Sequence, residues 1–330
     1  MNAIPNFSRG KARNLSPLIF GMTIVLFSAA LACLPQTQAQ GQDGNSADIH
    51  VNSNLVMLDA TVKTKSGEIM GDLKQGDFEI REDGAAQKIA LFSRDELPLN
   101  VALVLDLSDS IEPFLGPLRD AATTALATLK PDDQVALFTF STDAQLVVPL
   151  TKDKDSIADA ISSLRGGGAT NINDGIFLAA ETFLTTAPQG RRVIILISDD
   201  VGTDAGGEGT RDIITETIAA DTSVYNLKIP GYNPPSTRAY AASIPGLVNI
   251  GKVAEASGGE IFDVPDTAHL TSVFSALLER IRTRYTLGYY TTASEVVSKP
   301  HKLDVRLAPS FGTKGRDYIV LAKGSYYFRP

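Results

Sequence analysis

The 330-residue chain has a single cysteine, Cys33, and only three histidines. The cysteine lies in an N-terminal apolar run that reads as a targeting segment, so the mature chain is expected to hold no disulfide. His50, His269 and His301 are scattered, which supports neither a zinc site nor a histidine-based catalytic triad. Positive charge is scarce as well. A formal net charge of −8, with no basic cluster after the N-terminus, argues against a nucleic-acid partner. There is no short-period internal repeat and no long low-complexity tract. What remains is the composition of a folded protein, 43% hydrophobic and 21% charged, long enough for about two domains.

Residues 1–39 read as a signal peptide or an N-terminal anchor. Arg9, Lys11 and Arg13 form a positive start, Leu18 to Leu34 is apolar, and Thr37-Gln38-Ala39 fits a small-x-small cleavage site. Cleavage there removes three positive charges and no negative ones, taking −8 to −11. An uncleaved anchor is the rival, since the run is about long enough to span a bilayer. Ala30-Leu31-Ala32-Cys33 faintly resembles a lipoprotein cleavage site. In each case the segment engages the membrane during export, and the rest is expected in the periplasm, at the cell surface or secreted.

Residues 40–48 are rich in Gln, Gly, Asn, Asp and Ser and read as a linker. Residues 49–96 form a β segment: strands over Val51–Val62 and Asp77–Glu82, a turn at Asp83-Gly84, and a return strand over Gln87–Phe92. From residue 97 to 284 strands and helices alternate. Strands are expected at Val101–Leu105, Gln134–Phe140, Arg192–Ile197, Ser223–Ile229 and Glu260–Val264. Helices are expected at Pro113–Leu129, Lys154–Leu164, Ile172–Leu184, Thr210–Ala219, Leu247–Ala256 and Asp266–Arg284, the last being the longest. Residues 230–245 read as a loop. This is the pattern of an α/β fold with a doubly wound, mainly parallel sheet. Residues 285–330 return to β, and their strands are expected to pair with the N-terminal ones, so that the α/β domain is inserted in or flanked by a β-sandwich-like domain.

The chemistry gathers where strands end. Asp106-Leu107-Ser108-Asp109-Ser110 follows the apolar run Val101–Leu105, and the carboxyl ends of parallel strands are where such sheets bind ligands. Gly166-Gly167-Gly168-Ala169-Thr170 precedes a helix, and Ser198-Asp199-Asp200 follows the apolar strand ending at Ile197. One site could collect the hydroxyls of Ser108, Ser110 and Thr170 with Asp106 and Asp199 close by. Such all-oxygen ligands suit a hard divalent cation, Mg²⁺ or else Mn²⁺ or Ca²⁺, with water or a partner completing the shell. No Lys follows the three glycines as in a P-loop, so a loop that approaches the metal is preferred to a phosphate cradle.

With Asp-x-Ser-x-Ser at 106–110, Thr170 and Asp199 in this order, residues 97–284 resemble the von Willebrand factor type A domain with its metal-ion-dependent adhesion site (MIDAS). The resemblance implies that Ser108, Ser110 and Thr170 ligate the metal directly, that the aspartates act mostly through water, and that a protein partner's carboxylate fills the open position. The family usually has Gly after the aspartate, where this chain has Asp200, which leaves either Asp199 or Asp200 to face the metal; Asp199 fits the strand end. Asp77-Phe78, Glu82-Asp83-Gly84 and Tyr285-x-Leu287-x-Tyr289 resemble flanking segments of bacterial secreted von Willebrand factor A-related proteins.

Function is then expected to be metal-dependent protein binding, in adhesion or envelope assembly, and not catalysis. Two other readings stand beside it: a metal-dependent hydrolase such as a phosphatase with Asp106 as nucleophile, and a structural envelope protein whose metal staples loops. Asp109, Glu112, Asp204 and Glu208 could form a second cation site or, as is more common, a solvated acidic rim. Tyr285, Tyr289, Tyr290, Tyr326 and Tyr327 read as strand residues packing in the β domain before they read as a binding surface.

Overall fold

Alternating apolar and polar residues set up the first strands of the protein. A computed structural model describes residues 54–94, 97–188, 190–293, 299–311 and 317–327. The expectations for residues 1–39 and 40–48 lie outside them. β1 (Asn54–Thr64) buries Val56, Leu58, Ala60 and Val62 on one face. A 3₁₀ turn at Gln75–Asp77 leads into β2 (Phe78–Glu82), which buries Phe78, Ile80 and Glu82. The return strand is not continuous. It divides at Lys88 into β3 (Ala85–Gln87), paired with β2, and β4 (Ile89–Ser93), which belongs to another sheet. Sequence alternation cannot show that a strand changes partners halfway.

β5 (Leu99–Asp106) is buried at all eight positions, as a strand covered on both faces must be. Its side chains alternate between two cores: Val101, Leu103 and Leu105 enter one, Ala102 and Val104 the other. A 3₁₀ turn at Glu112–Phe114 precedes α1 (Leu115–Ala127), so the helix starts later than Pro113. β6 (Gln134–Phe140) and β7 (Ala144–Thr151) form a hairpin at one edge. α2 (Lys154–Ser163) is capped by the Asp153 carboxylate, and α3 (Ile172–Thr186) by the Asn171 side chain. β8 (Arg191–Ser198), α4 (Thr210–Ala219) and β9 (Thr222–Lys228) follow.

Residues 230–245, read from sequence as a loop, contain α5 (Pro235–Ser243). Pro235 stands at the first helical position, where its missing N–H breaks no bond, and a proline there starts a helix instead of ending one. α6 (Ile250–Ser257) ends at Gly258, whose φ of +77° is left-handed. An added Cβ there would sit 2.6 Å from backbone atoms of Ala322 and Lys323. β10 (Ile261–Asp263), a 3₁₀ turn at Thr267–His269 and α7 (Leu270–Arg282) complete the α/β part. α7 is shorter than the helix expected over Asp266–Arg284, and α3 exceeds it by two residues.

The six-stranded sheet has the order β10-β9-β8-β5-β6-β7, parallel except for β7. Residues of α1, α2 and α7 pack in one core and those of α3, α4 and α6 in the other, so the sheet is doubly wound. Thr283 and Arg284 separate α7 from β11 (Tyr285–Thr291), followed by β12 (His301–Leu307), β13 (Tyr318–Ala322) and β14 (Ser325–Tyr326). Two four-stranded sheets, β13-β1-β11-β4 and β14-β12-β2-β3, each combine strands from both ends of the chain. They share a core that includes Val56, Ile80, Leu287, Leu303 and the buried Tyr285, Tyr289 and Tyr326. Tyr290 is exposed and Tyr327 half-buried.

Candidate metal centre

Parallel strands deliver their last residues to one edge of a sheet, and here β5 and β8 are adjacent. β5 ends at Asp106, which is fully buried. Its Oδ1 accepts hydrogen bonds from the Ser108 N–H at 2.9 Å and the Ser108 hydroxyl at 2.6 Å. Its Oδ2 accepts from the Ser198 hydroxyl, on β8, at 2.7 Å. Ser110 Oγ donates to Asp199 Oδ2 at 2.7 Å. Asp106, Ser108, Ser110 and Asp199 are thus linked side chain to side chain, since Ser108 Oγ and Ser110 Oγ lie 3.3 Å apart.

Thr170 arrives differently. It is buried, and among the described residues no hydrogen bond joins its side chain to the other four. Its loop is zipped to the Asp106 loop through the backbone: Gly167 N–H donates to the Leu107 carbonyl at 2.7 Å, and Asp109 N–H to the Gly168 carbonyl at 3.2 Å. Thr170 is tied to the third loop too. Its N–H donates to Thr203 Oγ1 at 2.9 Å and its carbonyl accepts from the Thr203 N–H at 2.9 Å. The three loops nominated from sequence therefore meet at one edge.

Asp199 and Asp200 point to different neighbours. Asp199 takes the Ser110 hydroxyl, whereas Asp200, with φ +64°, accepts from Asn226 Nδ2 at 2.7 Å and lies 3.9 Å from Lys228 Nζ. Burial pushes the Asp106 carboxyl up to about 7, against the hydrogen bonds from Ser108 and Ser198 that favour its charged form; the Asp199 charge adds to the rise. Burial likewise raises Asp200 to about 6, opposed by Asn226 and Lys228.

Whether a cation fits can be judged from the hydroxyl hydrogens. Ser108 directs its only one to Asp106, and Ser110 its only one to Asp199. With both hydrogens turned to ionised carboxylates, the two oxygens face each other at 3.3 Å with lone pairs free. That separation is close to the edge of an oxygen octahedron around a divalent ion, about 3 Å. Ser108, Ser110 and Thr170 would hold such a cation, with Asp106 and Asp199 supplying negative charge.

Other candidates are placed elsewhere. Asp109 Oδ1 accepts from the Gly168 N–H at 3.1 Å, Asp204 accepts from the Gly206 N–H, and Glu112 is exposed. Among the described residues no group of three or more His, Cys, Asp or Glu side chains is placed to hold a metal. His269 bonds Asp266 and His301 bonds Asp83, both away from the three loops. Sequence reading missed Ser198 and Thr203 as partners of the site, although both flank Asp199 closely. It also missed Gly231 and Asn233, which lie in the stretch read as a loop; Asn233 Nδ2 donates to Asp199 Oδ2 at 2.7 Å.

A family model for the von Willebrand factor type A domain matches residues 101–202. The chain is 25% identical over 218 residues to human inter-alpha-trypsin inhibitor heavy chain H4, a match that covers 62% of this chain and 22% of that protein. It is 24% identical over 221 residues to a UPF0353 protein of Mycolicibacterium paratuberculosis, covering 60% and 64% respectively. The chain thus spans less than two thirds of either relative. Among solved structures it is similar to a von Willebrand factor type A protein from Catenulispora acidiphila, with a TM-score of 0.45, 14% identity, and coverage of 78% and 74%. It is similar as well to an aerotolerance-related membrane protein from Bacteroides fragilis, with a TM-score of 0.41, 19% identity, and coverage of 56% and 98%.

Proposed function

The chain carries a von Willebrand factor type A domain, and from that premise we propose that it is a metal-dependent protein-binding module in adhesion or envelope assembly. Domains of this type commonly serve as metal-dependent interaction modules. In this reading a divalent cation, Mg²⁺ or else Mn²⁺ or Ca²⁺, sits among Ser108, Ser110 and Thr170, with Asp106 and Asp199 behind them. Its remaining position takes an acidic group from a protein partner. The observation that carries the reading is the pair of serine oxygens at 3.3 Å whose hydrogens are both committed to carboxylates. With only neutral hydroxyls touching the cation and the two carboxylates held behind them, its open position would still favour an anionic ligand.

The hydrolase reading is weaker. A nucleophilic carboxylate must reach its substrate, and Asp106 is fully buried with both oxygens engaged by hydroxyls. Export is part of the proposal and rests on residues 1–39; among the described residues no helix is long and apolar enough to cross a membrane. The test is a pull-down from the native envelope with Mg²⁺ and with chelator. A partner lost on chelation and in Asp106→Ala supports the module. A partner retained equally in both overturns it, and strong Mg²⁺ stabilisation with no partner favours a structural staple.

A further inference from the structure

After β9 the chain turns back across the carboxylate of Asp199. Ile229 N–H donates to the Ser198 carbonyl at 2.9 Å and Tyr232 N–H to the Ser110 carbonyl at 3.0 Å. Asn233 Nδ2 then reaches Asp199 Oδ2 at 2.7 Å. Gly231 lies against the same group so closely that an added Cβ would overlap the carboxylate, so no larger residue fits in this arrangement. The strap therefore holds the Asp-x-Ser-x-Ser loop by its backbone and Asp199 by a side chain.

The consequence follows from counting donors on Asp199. Oδ2 accepts from Ser110 Oγ and from Asn233 Nδ2; Oδ1 accepts from the Val201 N–H at 3.0 Å. The Ser110 bond is compatible with Ser110 ligating a cation through its lone pair. The Asn233 bond has no such part. It occupies a lone pair of the oxygen nearest the hydroxyls, and breaking it would leave a half-buried amide without that acceptor. We propose that Gly231-Tyr232-Asn233 is a fourth loop of the metal centre and that Asn233 is a positioning residue that keeps Asp199 out of the cation's inner sphere. This rests on the metal-binding reading above. Held back, Asp199 steadies the cation through space without spending a coordination position, and that position stays available to water or to a partner's acid.

Mn²⁺ alone is a sufficient probe, used with the full chain. Its affinity is measured by titration and its bound water by proton relaxation of the solvent. In Asn233→Ala, Asp199 is expected to become a direct ligand: Mn²⁺ carries one water fewer and binds roughly ten-fold tighter, the scale on which groups around metal ligands act. Melting in chelator checks the fold. Asn233→Leu, which keeps the branching at Cγ and removes the donor, replaces Asn233→Ala if that variant unfolds. An unchanged water count overturns the inference, and so does weakened Mn²⁺ binding, since Asn233 would then be holding Asp199 towards the metal. A wild-type chain that takes up no Mn²⁺ overturns the metal reading itself, a result distinct from either.

Discussion

Arg191 Nε donates to Asp59 Oδ2 at 2.9 Å, joining the first residue of β8 to the middle of β1. The guanidinium is buried and also donates to the Ile281 carbonyl near the end of α7 at 3.0 Å. Asp59 Oδ1 accepts from Thr286 Oγ1 at 2.9 Å, on β11. One ion pair thus fastens the central sheet, the last helix and the sheet containing β1.

Acid should attack this joint. Burial alone would raise the Asp59 carboxyl, but the guanidiniums of Arg191 and Arg284 and the Thr286 hydroxyl outweigh it and hold the group below its ordinary 3.8. A depressed carboxyl contributes fully above the unfolded value and loses its contribution as pH falls through the folded one. Denaturant titrations should therefore show this share of stability intact above about pH 4 and fading below it. Asp59→Asn should cost about 3–5 kcal/mol at neutral pH, the cost of leaving a buried Arg191 charge unpaired. It should flatten the acid limb of the curve and leave Mg²⁺ affinity unchanged.

Asp106 should behave in the opposite sense. Its carboxyl is raised to about 7, so the metal-free protein loses stability as pH rises from about 4 to about 7, where the unfolded chain is ionised and the folded one resists. Asp106→Asn keeps the shape and drops the charge. Without metal at pH 7.5 it should be more stable than wild type by about 2–4 kcal/mol, at about 1.4 kcal/mol per pKa unit. It should no longer bind Mg²⁺, and melting with and without Mg²⁺ should separate only for the wild type.

The two serines should be separable from the fold. Ser108→Ala leaves the residue 108 N–H on Asp106 Oδ1, and Ser110→Ala leaves Asn233 on Asp199 Oδ2. Each substitution should cost about 0.5–1.5 kcal/mol in chelator, one ordinary hydrogen bond. Each should weaken Mg²⁺ binding at least ten-fold by calorimetry. Unchanged Mg²⁺ affinity in both would remove the hydroxyls from the site.

Gly258→Ala should destabilise without touching metal affinity. A side chain there meets a left-handed φ and the backbone of Ala322 and Lys323 at 2.6 Å, where no rotamer can relieve the clash. A loss of about 2 kcal/mol or more is expected by denaturant titration, beyond the ordinary glycine penalty.

How far the sequence could be read depended on the range of the interactions. β5 was legible because Val101–Leu105, inside a strand buried at every position, is an unbroken apolar run, and Asp106, Ser108 and Ser110 were legible because spacing within one loop is local. Asp199 followed from the end of β8, which the sheet sets beside the end of β5, and Thr170 from a glycine-rich stretch before a helix, a loop that joins α2 to α3. The split at Lys88 was not legible, because a change of strand partner leaves the alternation intact. Nor was Asn233, which is separated from Asp199 by 34 positions and an entire helix and strand. Its stretch, with several Pro, Gly and Ser, read as a long loop, whereas the structure sets α5 and the strap there.

The junction between β4, β11 and the α/β part also has a mechanical meaning. Ser93 of β4 and Thr286 of β11 are paired neighbours, and the chain enters and leaves the α/β part beside them. β11 in turn runs antiparallel to β1 over seven register pairs, from Asn54 opposite Thr291 to Ala60 opposite Tyr285. A pull on the α/β part against the start of β1 draws these two strands lengthwise in opposite directions. The ladder between them then bears the load in shear, with its hydrogen bonds strained together and not peeled one after another, which is how a tether is made to hold under tension.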